Sequence, residues 1–325
     1  MEQRRLGATG VSVSRLGLGT LTWGRDTDDH EAAEQLEVFL DAGGTVLDTA
    51  ASYGDGAAEA VIGQLLAGAA DRADVVLVTK AGVRNRRTRD GGAVVDASRG
   101  SLLDTLDASL ARLGTDHVDL WLVQSPDPAT RLTETLSALD LAVRSGRTRY
   151  VGLSNYPAWT TAQAATLLAA SGGPGLAAVE VEYSLLQRGI ERELLPAARG
   201  LGAGVLAWSP LGRGVLTGKY RATVPASSRA ASPHLRGFVE PYLTDRARGV
   251  VEAVTTAAEG LGRTALEVAL AWVRDAPGIG CAVVGARTAG QLRGALAAED
   301  LELPAPIRAV LDEVTAPPVG YPERF

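Results

Sequence analysis

Short apolar runs recur along the 325-residue chain, and longer segments with helical periodicity lie between them. Eight of these runs predict strands, because almost continuous apolar stretches are typical of parallel strands buried on both faces. Four of the amphipathic segments predict helices over residues 28–42, 98–113, 132–145 and 157–170. Gly114 predicts the end of the second of these helices, because glycine readily takes a left-handed conformation there. The predicted strands cover residues 15–20, 45–49, 75–80, 117–124, 149–154, 177–183, 203–209 and 280–285.

Eight strands alternating with helices predict an α/β fold, a single-domain (β/α)₈ TIM barrel over residues 1–325. The competing architecture is an open, doubly wound sheet, which usually has the pattern G-x-G-x-x-G after its first strand. Here Gly17-Leu18-Gly19 is followed by Thr20-Leu21-Thr22, without a third glycine. The glycine pattern therefore favours the barrel. Residues 212–244 are rich in Gly, Pro, Ser and Arg, and predict a long loop over the active face.

Charge and cysteine content narrow the class of protein. The formal net charge is −6 and no basic stripe stands out, which argues against a nucleic-acid partner. The single cysteine, Cys281, excludes an intramolecular disulfide and is expected to be a buried thiol. We find no signal peptide, and no apolar run approaches the roughly 18 residues that span a bilayer. These features predict a cytoplasmic protein without a membrane partner.

Three residues with the potential for chemistry follow predicted strands. Asp48 and Lys80 stand at the ends of the second and third strands, and Tyr53 follows Asp48 by five positions. Active sites of parallel barrels lie at these carboxyl ends, so the three side chains are expected to meet. Lysine is rare in this chain, since Lys80 and Lys219 are the only lysines among 32 basic residues. An isolated Asp, Tyr and Lys could also be an ordinary ion pair beside a packed ring.

The expected chemistry is proton donation by Tyr53. A free tyrosine has a pKa near ~10, and a neighbouring ammonium such as that of Lys80 is expected to lower it. Asp48 would keep the lysine charged and oriented. A tuned tyrosine of this kind can protonate an oxygen atom while hydride reaches the adjacent carbon.

Several motifs in a fixed order strengthen this hypothesis. They include LDTAASYG at 47–54, VGLSN at 151–155 and AWSPLGRG at 207–214, together with residues 16–20, 78–80, 109–120 and 284–287. In this order the motifs resemble the aldo-keto reductase family over nearly the full length of the chain. The resemblance implies NADPH-dependent reduction of an aldehyde or ketone, with Asp48, Tyr53 and Lys80 as catalytic residues.

The same resemblance implies a set of contacts to NADP. Ser154 and Asn155 would hold the nicotinamide amide, and Trp208 would stack on the nicotinamide ring. Arg287, before a helix starting near Thr288, would bind the 2′-phosphate, which favours NADP over NAD. The remaining implied cofactor contacts are Gly19, Thr20, Asp48, Glu180, Ser209, Leu211, Gly212, Gly285 and Gln291.

Three positions depart from the family pattern. Gln124 stands at the end of the fourth strand, where the family usually has a histidine. A glutamine can donate a hydrogen bond to a carbonyl oxygen, but it supplies neither a proton nor a positive charge. Glu180 replaces a common glutamine and Ala295 replaces a common asparagine, which puts cofactor affinity in doubt. The three histidines lack metal-ligand spacing, so no metal site is predicted.

Three functions remain open from the sequence. The first is an NADPH-dependent carbonyl reductase whose substrate pocket is shaped by Trp23, Tyr53 and Gln124. The second is a specialised reductase of secondary metabolism, acting on a conjugated or sugar ketone. The third is an NADPH-bound sensor, because the potassium-channel β subunits also resemble aldo-keto reductases and lack the histidine. In the first two readings the partner is a small carbonyl compound, and the oligomeric state is open.

Overall fold

Eight parallel strands close into one barrel in the computed structural model, which describes residues 1–68, 70–85, 93–221, 223–225, 228–232, 235–318 and 320. In chain order the strands are β1 (Leu16–Gly19), β2 (Val46–Asp48), β3 (Val76–Ala81), β4 (Val118–Val123), β5 (Thr148–Ser154), β6 (Leu176–Glu182), β7 (Gly204–Trp208) and β8 (Cys281–Val284). Each strand pairs with its neighbours in the sequence, and β8 pairs with β1 to close the ring. The predicted barrel and all eight predicted strands are confirmed.

Helices surround the barrel. They are α1 (Asp29–Asp41), α2 (Ala57–Gly68), α3 (Arg99–Leu113), α4 (Leu132–Arg144), α5 (Ala158–Ala170), α6 (Leu194–Leu201), α7 (Arg236–Val239), α8 (Asp245–Leu261), α9 (Ala265–Arg274), α10 (Ala289–Leu296) and α11 (Ala305–Val314). The four predicted helices correspond to α1, α3, α4 and α5. Gly114 ends α3 at a φ of 64°, as its position predicted. None of the described helices is both long and apolar enough to cross a membrane.

The barrel interior is filled at the amino ends of the strands and open at their carboxyl ends. Leu6 lies in the segment that connects the two strands of an N-terminal hairpin, Gln3–Arg5 and Ser12–Ser14, and its side chain is buried. A Cβ added at Gly204 would lie 2.3 Å from Leu6, so this glycine is needed for the close approach. The Cys281 thiol is buried in the same interior cluster, as predicted. The hairpin and Leu6 close the amino end of the barrel, and the carboxyl ends of the strands remain accessible.

The segment 212–244 is less irregular than the sequence predicted. It contains short 3₁₀ segments at Gly212–Thr217, which is kinked at Arg213 and Gly214, and at Glu240–Tyr242, with α7 before the second of them. Residues 222, 226–227 and 233–234 of this segment lie outside the described part. Glycines and prolines break the pattern often enough to hide such short turns, because each turn spans only a few residues.

Candidate active site

A cavity of about 790 Å³ opens at the carboxyl ends of the barrel strands. Its floor includes Asp48, Tyr53 and Lys80, and its far wall includes Gly285 and Arg287. The register explains this grouping, because Asp48 lies beside Gly19 of β1 and beside Val78 of β3. The predicted cofactor residues that line the cavity are Gly19, Asp48, Ser154, Asn155, Glu180, Trp208, Ser209, Leu211, Gly285, Arg287 and Gln291.

The ammonium group of Lys80 is buried and surrounded by three oxygen atoms. Nζ donates to Asp48 Oδ1 at 2.6 Å and to the carbonyl of Thr49 at 3.0 Å. Glu180 Oε1 lies 3.2 Å from the same nitrogen. The predicted meeting of Asp48 and Lys80 is therefore confirmed. Glu180 joins them from the opposite side of the barrel, and this third member was not predicted as a partner of the lysine.

Tyr53 stands beside this cluster at the start of a helical turn, Tyr53–Gly56. Lys80 Nζ lies 5.3 Å from the centre of the tyrosine ring. Gly54 and Asp55 follow with φ values of 58° and 56°, which turn the chain away from the strand direction immediately after the tyrosine. This local turn places the ring against the charged cluster and at the cavity floor.

Gln124 has a defined side-chain orientation. Its Oε1 accepts a hydrogen bond from Ser52 Oγ at 3.0 Å. The oxygen is thus held by a neighbouring hydroxyl, and the Nε2 hydrogens are the group that this side chain can offer to a carbonyl oxygen in the cavity. Ser52 belongs to the same segment as Tyr53, so one loop positions both the tyrosine and the amide.

The side chain of Asn155 joins three strands. Nδ2 donates to the carbonyl of Gln124 at 2.9 Å and to Ser154 Oγ at 3.0 Å. Oδ1 accepts from Trp208 Nε1 at 3.1 Å. Residues at the ends of β4, β5 and β7 are connected in this way, which fixes the edge of the indole ring of Trp208.

Backbone strain concentrates at the cavity. Among the described non-glycine residues, positive φ values occur at Asp55, Asn155, Ser209 and Arg213. The last three line the cavity, and Asp55 follows Tyr53 by two residues. Such conformations cost on the order of 1–3 kcal/mol each and are commonly retained at functional sites. The strain thus marks the same end of the barrel as the charged cluster.

The outer part of the cavity is basic. Arg25, Lys219 and Arg287 line it, and the N-terminus of α10 lies immediately after Arg287. A helix N-terminus together with cations favours the binding of phosphate groups. One backbone N–H of this terminus, that of Ala289, donates to Glu31 at 2.8 Å, a contact that the sequence did not reveal.

Comparison of the sequence with known proteins identifies a family and several relatives of this chain. The chain matches the Aldo/keto reductase family over residues 15–315. It belongs to the aldo/keto reductase family. It is 36% identical to the uncharacterized oxidoreductase YrpG of Bacillus subtilis, over 100% of this chain and 99% of that protein. It is also 31% identical to a probable voltage-gated potassium channel subunit beta of Oryza sativa subsp. japonica, over 100% and 98% of the two chains. Identity to the aldo-keto reductase YhdN of Bacillus subtilis is 30%, over 98% and 96%.

This membership supports an oxidoreductase that acts on carbonyl compounds in general. The aldo/keto reductase family typically uses nicotinamide cofactors. The fold predicted from the sequence and the family named from its motifs are both confirmed.

Three residues predicted to line the aldo/keto reductase site do not lie in the cavity wall. Trp23 is fully buried in the core, where its Nε1 donates to Gln35 Oε1 at 3.1 Å. Thr20 is also buried, and its hydroxyl donates to the carbonyl of Asp48 at 3.0 Å. Gly212 is buried beneath Leu186. Each follows a strand that ends at the cavity, but the turn after the strand directs the residue inward.

Arg213 makes contacts that the sequence did not predict. It donates to both carboxylate oxygens of Glu182, at 2.8 and 2.7 Å, and to the carbonyl of Phe238 at 2.6 Å. Its guanidinium carbon lies 4.1 Å from the centre of the Phe238 ring, which stacks on Trp208 at 6.3 Å between ring centres. The arginine therefore attaches the segment after β7 to the end of β6.

Burial determines the protonation states in the cluster. Desolvation raises the pKa of Tyr53, and the carboxylates of Asp48 and Glu180 add to the effect of burial, which outweighs the opposing ammonium. The predicted lowering of the tyrosine pKa is therefore wrong. Although burial opposes the charge on Lys80, the two carboxylates hold the pKa of Lys80 above its usual value. Tyr53 consequently remains a neutral hydroxyl, the form that can donate a proton.

Glu180 has the most unusual protonation behaviour of the cluster. Desolvation, followed by repulsion from Asp48, raises the pKa of Glu180 to about 8, although Lys80 opposes the shift. Burial also raises the pKa of Asp48, against the attraction of Lys80. Two carboxylates in contact with one ammonium thus hold a proton more readily than either would in water.

Replacing Gln124 by leucine is expected to lower kcat by about 10²-fold. The substitution keeps the approximate volume but removes the amide hydrogens that Gln124 would offer to a carbonyl oxygen in the cavity, and loss of one such donor typically costs about 10²–10³ in rate. Single-turnover oxidation of the reduced nicotinamide cofactor at saturating carbonyl substrate measures the effect. A leucine variant as fast as the wild type would show that the amide does not act on the reacting oxygen.

Proposed function

We propose that this protein catalyses NADPH-dependent reduction of an aldehyde or ketone to an alcohol. The observation that supports this most directly is the position of Tyr53 beside the buried cluster of Asp48, Lys80 and Glu180, at the floor of a cavity with a basic outer wall. The proton donor at the floor of the cavity would serve the carbonyl substrate. The cations at the mouth would bind the phosphate groups of the dinucleotide.

The residues present fit a nicotinamide dinucleotide. Trp208 presents an aromatic ring to the cavity, and Ser154, Asn155 and Glu180 supply polar atoms around it. At the other end, Arg25, Lys219 and Arg287 offer positive charge for phosphate groups. Ala295 also lines the cavity, where its methyl group offers an adenine ring only van der Waals contact.

Bound NADPH would supply a hydride to the carbonyl carbon. As negative charge develops on the carbonyl oxygen, the hydroxyl of Tyr53 donates its proton to that oxygen. The Nε2 group of Gln124 donates a second hydrogen bond and stabilises the same charge. Lys80 stays protonated, and its positive charge stabilises the phenolate that remains on Tyr53 after the transfer. Asp48 holds the ammonium in position.

The first experiment is single-turnover oxidation of enzyme-bound NADPH by a panel of aldehydes, ketones and enones. We expect rapid loss of NADPH absorbance with at least one carbonyl class, and no loss without substrate. Enzyme that binds NADPH but leaves it unoxidised across the panel would contradict a general carbonyl reductase. If NADPH is oxidised, the carbonyl class that reacts fastest identifies the preferred substrate class, including whether a conjugated or sugar ketone is preferred.

Arg287 is expected to decide the preference for NADPH over NADH. Replacing it by alanine should raise the Kd for NADPH about 10–100-fold, because a hydrogen bond to a charged group contributes roughly 1.5–3 kcal/mol. The Kd for NADH, which lacks the 2′-phosphate, should change little. Fluorescence titration with both cofactors measures the two constants. Equal losses for both cofactors would indicate that Arg287 has no special role at the 2′-phosphate.

A cofactor-bound sensor is the second candidate function. Two relatives named as probable voltage-gated potassium channel beta subunits favour the sensor function, at 31% and 30% identity over the full chain. In addition, the side chain of Gln124 cannot donate a proton as an acid. The two functions differ in turnover. Tight NADPH binding with bound cofactor that persists for minutes in the presence of the whole carbonyl panel would favour the sensor.

A further inference from the structure

Glu180 is a second carboxylate on a single buried ammonium. Its Oε1 lies 3.2 Å from Lys80 Nζ, while Asp48 Oδ1 lies 2.6 Å from the same nitrogen. The side chain of Glu180 is 2% exposed, and its Oε2 forms no hydrogen bond with any residue that the structure describes. The residue also lines the cavity. With both carboxylates ionised, the three side chains carry one uncompensated negative charge.

A buried uncompensated charge is unfavourable, and two events can relieve it. One is protonation, since burial and Asp48 raise the pKa of Glu180 to about 8. The other is the arrival of a positive charge in the cavity. Within the described part of the chain, the charged and titratable groups that interact with Glu180 are Asp48 from β2, Tyr53 from the turn after β2, Lys80 from β3 and the thiol of Cys281 from β8. Lys80 and Tyr53 keep their protons near pH 8, because their pKa values are raised. Burial raises the pKa of the Cys281 thiol, which therefore also stays protonated.

The cofactor offers such a charge in only one of its two forms. If the proposed function is correct, the nicotinamide ring binds beside Glu180, and this ring is positive when oxidised and neutral when reduced. We propose that Glu180 couples the protonation of the buried cluster to the oxidation state of the bound cofactor. The carboxylate form favours the oxidised ring, and the carboxylic acid form accommodates the reduced ring. The protonation state of Glu180 thus sets the relative affinity of the protein for the oxidised and the reduced cofactor.

The coupling predicts a pH-dependent preference between NADP⁺ and NADPH. If the positive ring lowers the pKa of Glu180 by about one unit, the ratio of Kd for NADPH to Kd for NADP⁺ rises about tenfold as pH increases through the titration of Glu180. The adenine and phosphate groups are common to both forms. Their own titration therefore cancels in the ratio.

The test is fluorescence titration of the full chain with NADP⁺ and NADPH between about pH 6 and pH 9.5. Wild type is expected to show the tenfold rise, whereas Glu180→Gln should give a ratio independent of pH. Glu182→Gln is the matched control, because it removes a carboxylate from the same strand but not from the cluster. It should keep the wild-type slope even if both affinities change. A flat wild-type ratio, or a slope that survives in Glu180→Gln, would overturn the coupling.

A second measurement on the wild type does not depend on the folding of any variant. Isothermal calorimetry of cofactor binding near pH 8, in buffers of different ionisation enthalpy, counts the protons released. NADP⁺ should release more protons than NADPH, and equal release would contradict the proposal. If neither cofactor binds, the proposed function fails and this inference fails with it. If both bind with parallel pH profiles, only the coupling is wrong.

Discussion

Replacing Tyr53 by phenylalanine is expected to lower kcat by about 10²–10⁴-fold, the usual contribution of a positioned general acid. The phenylalanine ring keeps the packing beside Lys80, whose ammonium lies 5.3 Å from the ring centre. Only the proton donor is lost. The Kd for NADPH should therefore stay close to that of the wild type, so that the loss falls on the chemical step. Single-turnover oxidation of bound NADPH measures that step directly.

Tyr156→Phe is the matched control for this prediction. Tyr156 is buried, and burial raises the pKa of its hydroxyl as it does for Tyr53. Tyr156 does not line the cavity, however, so removing its hydroxyl should leave the rate of NADPH oxidation almost unchanged. Comparable losses in the two variants would indicate general damage to the barrel. A Tyr53→Phe enzyme with the wild-type rate would exclude the tyrosine as the proton donor.

The barrel and the meeting of Asp48 with Lys80 could be predicted because both depend on order along the chain. Parallel strands buried on both faces are continuously apolar, as the predicted strand at 280–285 and the observed Cys281–Val284 illustrate. Consecutive strands are neighbours in a parallel barrel, so residues at the ends of the second and third strands must be close. Neither inference requires the conformation of a loop.

The remaining features of the site depend on contacts across the barrel and on loop geometry. Glu180 lies 100 positions after Lys80 in the sequence, and only the closed barrel directs both side chains to the same point. Trp23 was predicted to shape the substrate pocket, but the turn after β1 buries the indole against Gln35. The sign of the pKa shift at Tyr53 was wrong because desolvation depends on the shape of the cavity, which neighbouring charges in the sequence do not reveal.

Replacing Lys80 by methionine is expected to reduce the free energy of unfolding by about 3–5 kcal/mol near pH 8, because it leaves buried carboxylates without their cation. The Lys80 side chain is 2% exposed, and the side chains of Asp48 and Glu180 are also buried. Chemical denaturation at several pH values measures the loss. Lys219→Met is the matched control, since it replaces the other lysine of the chain at an exposed position and should leave stability close to that of the wild type.

The pH dependence of the free energy of unfolding distinguishes the cost of buried, unpaired carboxylates from the cost of lost packing. Without Lys80, burial holds the pKa values of Asp48 and Glu180 above their unfolded values near ~4. Groups with raised pKa values in the folded state contribute stability at low pH that is lost as pH rises. The loss of unfolding free energy in Lys80→Met, relative to the wild type, should therefore shrink on acidification and grow above neutrality. Adding Asp48→Asn and Glu180→Gln to Lys80→Met should recover much of the loss at pH 8, because no buried charge then remains in the cluster. A deficit that is constant across pH, or that the added substitutions deepen, would instead identify Lys80 as a packing residue whose charge contributes little to the fold.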